Sequence, residues 1–237
     1  MSVTLTITEL TERFPEFKVA VLLFRDLTVA PERSAALDAD ILAREEACRL
    51  AHAGMELSAI PGVAAWRSAY KGFGIKKTSY RSSVERLIKR VLAGERLPAI
   101  NPFVDAYNAV SLAHGFCVGA DDLDRIAPPL AFRFSRPGDS FLDMAAAPGD
   151  DPDDPPKDGE VVLADSRHVL CRRWNWRQDM RSAISTATGS ALLTIQANGW
   201  GDLEAAVTDL CALVAAQCSG TVAIGRAHAG TPTITLG

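Results

Sequence analysis

Asp105 and Asn108 stand three residues apart in the apolar run from Phe103 to Leu112. At helical spacing they share roughly one face. A carboxylate and an amide so placed can orient a water or an ammonium and hydrogen-bond an ester or a ribose. The plainer reading of Asp105 is a structural hydrogen bond to nearby backbone. A second cluster is Arg172-Arg173-Trp174-Asn175-Trp176-Arg177-Gln178-Asp179. Three guanidiniums and two indoles in eight residues are costly to expose and costly to bury unpaired. Planar donors beside rings suit a polar, planar ligand, and the same residues could instead form an ion-paired, cation–π brace. A third cluster is basic: between Lys71 and Arg96 lie Lys76, Lys77, Arg81, Arg86, Lys89 and Arg90, interleaved with Tyr70, Phe73 and Tyr80. Cations that neutralise phosphate and rings that stack on bases are the ingredients of single-stranded RNA contact. A solvated helix face is the alternative.

The elements that must position these residues are partly readable. Ser82 and Glu85 form a capping-box pattern, and Val84, Leu87, Ile88, Val91 and Leu92 make one apolar stripe, so a helix is expected over 82–92. Arg86, Lys89 and Arg90 then project from its other face. Asn101 as cap, Pro102 at the first helical position and Gly115 as terminator predict a helix over Phe103 to His114. An earlier helix is expected from Pro31 to about Gly54, broken off before Ile60-Pro61-Gly62. Strands are expected at Phe17–Phe24, Leu130–Phe134, Glu160–Asp165, His168–Cys171, Ala191–Gln196, Thr221–Ile224 and Thr233–Leu236, with a further helix carrying Leu203, Val207, Leu210, Cys211 and Val214. The Pro/Asp-rich stretch 147–159 reads as an exposed loop or disordered insertion. Strands and helices mix without a strict βαβ period, so one α/β (α+β) domain over 1–237 with a mixed sheet flanked by helices is expected.

Composition bounds the rest. With 48% hydrophobic and 23% charged residues over 237 positions, a sizeable core can form without metal or disulfides. The net charge of −4 gives no reason by itself to expect nucleic acid, but charge is segregated: the basic stretch above contrasts with six aspartates between Asp143 and Asp158. Five unpaired-looking cysteines, no signal-like N-terminus and no long apolar run point to a cytoplasmic protein with no membrane partner. No Walker loop, dinucleotide fingerprint, nucleophile elbow or zinc-type spacing occurs; neither a metal nor a cofactor is expected, and no DNA partner.

Taken in order, Ser82-Ser83-Val84-Glu85-Arg86-Leu87, Leu97 to Leu112, Gly119-Ala120-Asp121-Asp122-Leu123-Asp124, Gly159 to Asp165 and Arg172 to Arg177 resemble the B3/B4 domain of bacterial phenylalanyl-tRNA synthetase β subunits, and more nearly a family of free-standing B3/B4 proteins. The resemblance is clearest over 70–188. In the synthetase this domain hydrolyses tRNA charged with tyrosine in place of phenylalanine, so the resemblance implies a stand-alone editing-type deacylase whose partner is the aminoacylated 3′ end of tRNA. It places Asn108 on the asparagine of the editing pocket, Tyr107 where the synthetases carry threonine, Gly119 near their pocket histidine and Asp179 near the glutamate that reads the tyrosine hydroxyl. Three of the four differ, which implies another amino acid as substrate or a loss of turnover.

On this reading Asp105 or Asp179 would orient water or the substrate ammonium, and Asn108 would contact the ester or ribose. Tyr107, Gly119, Trp174, Asn175 and Trp176 would line the pocket. Arg173 and Arg177 would hold the terminal phosphates, and Lys76, Lys77, Arg81, Arg86, Lys89 and Arg90 the acceptor stem. The competing classes are a non-catalytic tRNA- or amino-acid-binding module and a hydrolase or binding protein for a free small molecule.

Overall fold

The computed structural model describes residues 2–76 and 79–237; Lys77 lies outside them. Two sheets are present among the described residues. Strands β1 (Val3–Thr6), β4 (Leu130–Phe134), β5 (Val161–Ala164), β6 (Val169–Arg172), β7 (Arg177–Gln178) and β10 (Thr233–Leu236) make a six-stranded sheet in the order β10-β1-β4-β5-β6-β7. It is mixed, because β1 pairs parallel with β4 and the other pairings are antiparallel. Strands β2 (Phe17–Val29), β3 (Cys117–Asp122), β8 (Ala191–Asn198) and β9 (Cys218–Ala227) make an antiparallel sheet in the order β3-β8-β2-β9. Helices α1 (Ala35–Ala51), α2 (Pro61–Gly72), α3 (Ser83–Leu92), α4 (Pro102–His114) and α5 (Leu203–Gln217) complete the α/β fold. The expected mixed sheet is therefore present, accompanied by a second, antiparallel one. None of the described helices is long and apolar enough to cross a membrane.

The helices that carry the basic and Asp/Asn residues form as their caps dictate. In α3, Ser82 Oγ accepts the amide of Glu85, while Val84, Ile88 and Val91 are buried and Arg86, Lys89 and Arg90 are exposed. The capping box is only half made: the Glu85 carboxylate is bound by Arg67 (2.6 Å) and Arg81 (2.9 Å) instead. In α4, Asn101 Oδ1 accepts the amide of Val104, Pro102 opens the helix, and Gly115 ends it at φ 72°, a conformation that costs a residue with a Cβ far more.

Two expectations are corrected and a third is narrowed. Helix α1 starts after Ser34, whose side chain caps Leu37, so Pro31 lies outside it. Ile60-Pro61-Gly62 does not merely interrupt the chain: Pro61 takes the first position of α2, where its missing N–H is no loss. The Pro/Asp-rich loop is exposed but pinned, since Arg172 donates to the Asp154 carbonyl (2.7 Å) and pairs with its carboxylate. Strands β1, β3 and β7 had no clear sequence signal.

The turn between β6 and β7 divides the arginine/tryptophan cluster. Arg173 and Trp174 both adopt positive φ, 44° and 66°, a conformation that costs on the order of 1–3 kcal/mol for each non-glycine residue. The turn drives Trp174 fully into the core, edge-on to Phe14, Phe17 and Trp66 at 4.7, 4.8 and 5.3 Å. Asn175, Trp176 and Arg177 are left pointing the other way, toward a cleft.

Candidate functional site

A cleft of about 230 Å³ opens between α3 and α4 on one side and β3, β6, β7 and β8 on the other. Its base comes from the β3/β8 pairing, in which Cys117 faces Gln196 and Gly119 faces Thr194. Alternate residues of a strand share a face, so Gly119, Asp121, Thr194 and Gln196 present to the same space. A Cβ added at Gly119 would meet nothing within 4 Å; the missing side chain leaves room in the cleft. The walls are Tyr107 and Asn108 from α4, Ser83 and Arg86 from α3, and Asn175, Trp176, Arg177 and Gln178 from the β6–β7 hairpin, with exposed Ile100 and Met144 at the rim.

A hydrogen-bonded relay fixes the base. The Tyr70 hydroxyl donates to Asn175 Oδ1 (2.9 Å), Asn175 Nδ2 to Gln196 Oε1 (3.1 Å), and Gln196 Nε2 to Thr194 Oγ1 (3.1 Å). Burial pushes the Tyr70 hydroxyl well above its ordinary pKa, so it serves as a neutral donor. Buried polar groups satisfied in this way hold one geometry.

The residues singled out from the sequence separate into two sets. Asn108, Tyr107, Gly119, Asn175, Trp176, Arg86 and Arg177 come together around the cleft. The Asn108 amide has no side-chain hydrogen-bond partner among the described residues. Asp105, Asp179, Trp174 and Arg173 do not line the cleft. Asp105 is buried, accepting from Arg33 Nε (3.0 Å) and the amide of Ile100 (2.9 Å). Asp179 is sealed from solvent and accepts from Arg181 and the amide of Leu142. Arg173 is buried, with Glu160 at 3.1 Å and its guanidinium 3.9 Å from the Tyr80 ring centroid and 4.3 Å from that of Trp176. It supports the cleft wall from behind Trp176 and is not open to a phosphate.

Two cations stand at the mouth. Arg86 reaches solvent, and no hydrogen bond or ion pair holds its guanidinium among the described residues. Desolvation of the head group, then repulsion from Arg177, lowers its pKa. Arg177 is 3.8 Å from the Asp143 carboxylate and 4.9 Å from the Trp176 ring centroid, and its Nε is buried without a partner. A second guanidinium set against the desolvated Arg86 makes the mouth a site for an anion. Arg86 also borders a shallow groove with Arg81, Lys89 and Arg90, and Arg81 in turn borders a depression with Lys76 and Tyr80, so the basic residues run outward from the mouth.

A matching model of the B3/4 domain covers residues 65–199, more than half of the chain and all of α3, α4, β3 and the β6–β7 hairpin. The chain belongs to the B3/4 domain family. Among solved structures, it is similar to an N-terminal fragment of the phenylalanyl-tRNA synthetase β subunit from Pyrococcus horikoshii, at 14% identity and a TM-score of 0.43, over 93% of this chain and 50% of that one. The chain thus spans half the length of that fragment. No curated protein matches.

In this B3/4 domain the candidate site residue that sequence reasoning passed over is Asp121. It is 5% exposed and lines the cleft, with its Oδ1 accepting from Ser182 Oγ (2.6 Å) and Gln178 Nε2 (3.2 Å). Burial raises its pKa to about 7, against the pull of those two hydrogen bonds, and Asp179 and Asp165 raise it further. Asp121 was legible as part of a family motif, but its burial and its donors, 57 and 61 residues away, carry no local signal. Burial also pushes up the Cys171 thiol, with Asp121 adding to the effect, so the cysteine at the cleft is held as a thiol.

The raised carboxyl makes a stability prediction. Between the unfolded value near 3.9 and about 7, the folded state holds a proton that the unfolded state has lost. Stability therefore falls as pH rises through that window, and the full penalty applies above it. Asp121→Asn is expected to raise stability by on the order of 4 kcal/mol at pH 8 and by little at pH 4. Thermal unfolding at the two pH values measures the difference.

Proposed function

We propose that the cleft receives the aminoacylated 3′ end of tRNA and hydrolyses the aminoacyl ester, as an editing-type deacylase. The observation that carries this reading is a cleft with two poorly compensated guanidiniums at its mouth and an unpartnered amide, Asn108, in its wall. Its volume of about 230 Å³ falls below the ~300–1,000 Å³ of pockets for drug-sized ligands. An aminoacyl group fits inside, and the nucleotides must stay outside, where Arg86, Arg177 and the basic groove can meet their phosphates. Membership of the B3/4 family supports the same class of ligand.

The chemistry needs no protein nucleophile. The ester is already activated, and water adds to its carbonyl carbon. The resulting oxyanion takes a hydrogen bond from Asn108 Nδ2, the carbon–oxygen bond to the ribose breaks, and the proton given up by the attacking water passes to the ribose oxygen. Positioning and oxyanion stabilisation supply the rate.

Purified protein incubated with a panel of correctly and wrongly charged tRNAs tests the reading. Selective loss of one charged species is expected; no turnover across the panel overturns it. The second reading, a non-catalytic module for the same ligand, draws on a cleft lined by no histidine among the described residues and on the protonated Cys171. Binding without turnover would select it.

The mouth arginines carry their own prediction. Arg86→Gln and Arg177→Gln are each expected to weaken tRNA binding and to reduce the slope of log affinity against log salt by about 1. Filter binding between low and moderate salt reads both quantities, and an unchanged slope removes that arginine from the phosphate path.

A further inference from the structure

The hydrogen bonds that reach Asp121 both fall on Oδ1. Its Oδ2 accepts nothing among the described residues and is not among the enclosed atoms left without a partner, so it faces the open space of the cleft. A carboxylate on a residue only 5% exposed, with one oxygen left without a donor, is expensive to maintain. Its surroundings make it more so. Tyr107 from α4 and Cys171 from β6 are both held neutral by burial. Asp179 is matched by Arg181, while Asp165 accepts only the amides of Ala127, Arg167 and His168, with no cation in contact among the described residues.

Asp179 and Asp165 both add negative potential at Asp121, and the cations of the cleft stand away from it: Asp121 is nearly sealed, whereas Arg86 is exposed at the mouth. A neutral hydroxyl would satisfy the free oxygen but gain nothing from Asp165. A cation gains from both. A metal ion is not the fit, since among the described residues no three His, Cys, Asp or Glu side chains gather to hold one. The remaining class of cation that brings its own donors and suits a cleft of this size is an organic ammonium.

We infer that Asp121 is the seat of a primary ammonium, so that the bound molecule carries its amine inward onto Oδ2 and its anionic part outward between Arg86 and Arg177. This rests on the reading of the cleft as an aminoacyl site and gives it an orientation: the free α-amine is what the protein recognises first. A chain whose amine is blocked is excluded, because an amide offers no charge to a desolvated carboxylate.

Calorimetry with 3′-aminoacylamino-3′-deoxyadenosines, whose amide cannot be hydrolysed, tests this against their N-acetylated forms. For the side chain that binds best, acetylation is expected to weaken binding tenfold or more in the unaltered protein. Asp121→Asn should weaken binding of the free amine by a similar factor and abolish the discrimination. The variant is expected to fold, since it loses a buried charge and keeps the acceptor for Ser182. Equal binding of free and acetylated forms, or discrimination surviving in Asp121→Asn, overturns the ammonium seat and leaves the aminoacyl-tRNA reading standing. If no adenosine probe binds while amino-acid methyl esters do, and lose affinity in Asp121→Asn, the seat stands and the tRNA reading falls. Binding of neither series overturns both.

Discussion

Glu160→Ala is expected to destabilise the protein by about 3–5 kcal/mol, the range for breaking a buried ion pair by removing one partner. At this chain length each kcal/mol is worth roughly 2–4 °C, so melting should fall by roughly 6–20 °C in a thermal unfolding scan. Glu160 is 4% exposed and receives Arg172 Nε and Nη2 at 3.0 and 2.9 Å and Arg173 Nη2 at 3.1 Å. Arg172 and Arg173 are themselves 0% and 3% exposed. Among the described residues, truncation leaves Arg172 paired with Asp154 and Arg173 with no carboxylate in contact. Arg173 Nε and Nη1 already lack acceptors, which is why its charge depends on Glu160 and on the faces of Tyr80 and Trp176. The damage reaches the cleft, because Trp176 lines it and rests on Arg173. A loss below about 1 kcal/mol, the scale of an exposed pair, would show that the guanidiniums reach water.

The same cluster shows how far a sequence can be read. Three arginines and two tryptophans in eight residues announce a problem of burial, but not its solution. The turn at Arg173 and Trp174 sends one tryptophan to the core and the other to the cleft, so one run of residues supplies both a brace and a wall. Helices α3 and α4 were legible because caps and stripes are local: Ser82, Asn101, Pro102 and Gly115 each act within one turn. Strand β3 was not, since Cys-Val-Gly-Ala-Asp-Asp holds a glycine and two aspartates that strands disfavour, and its partners on β8 lie 69 to 79 residues away. Asp105 illustrates the limit for function. Its apolar neighbours signal burial, but the Arg33 that neutralises it comes from 72 residues earlier. Asp121 is the converse, a carboxylate whose free oxygen becomes visible only once Ser182 and Gln178 are seen to occupy the other.

Asn108→Ala should lower kcat for deacylation by roughly 10²–10³, the effect of deleting one oxyanion donor, with KM changed little. Asn108 lies on α4, whose neighbouring side chains Phe103, Val104, Tyr107 and Leu112 are buried, so the helix is held by packing on either side of it. Its amide bonds no other side chain among the described residues, so truncation breaks no such hydrogen bond. A fall in kcat with stability intact therefore reads as a donor lost at the transition state, because uniform binding would appear in KM. Asn108→Asp separates the roles further: it keeps the size but replaces the donor with an acceptor, which repels the oxyanion, and turnover should fall at least as far as with alanine. Turnover in the aspartate variant equal to that of the unaltered protein would show that no donor at 108 is required and would overturn the oxyanion role.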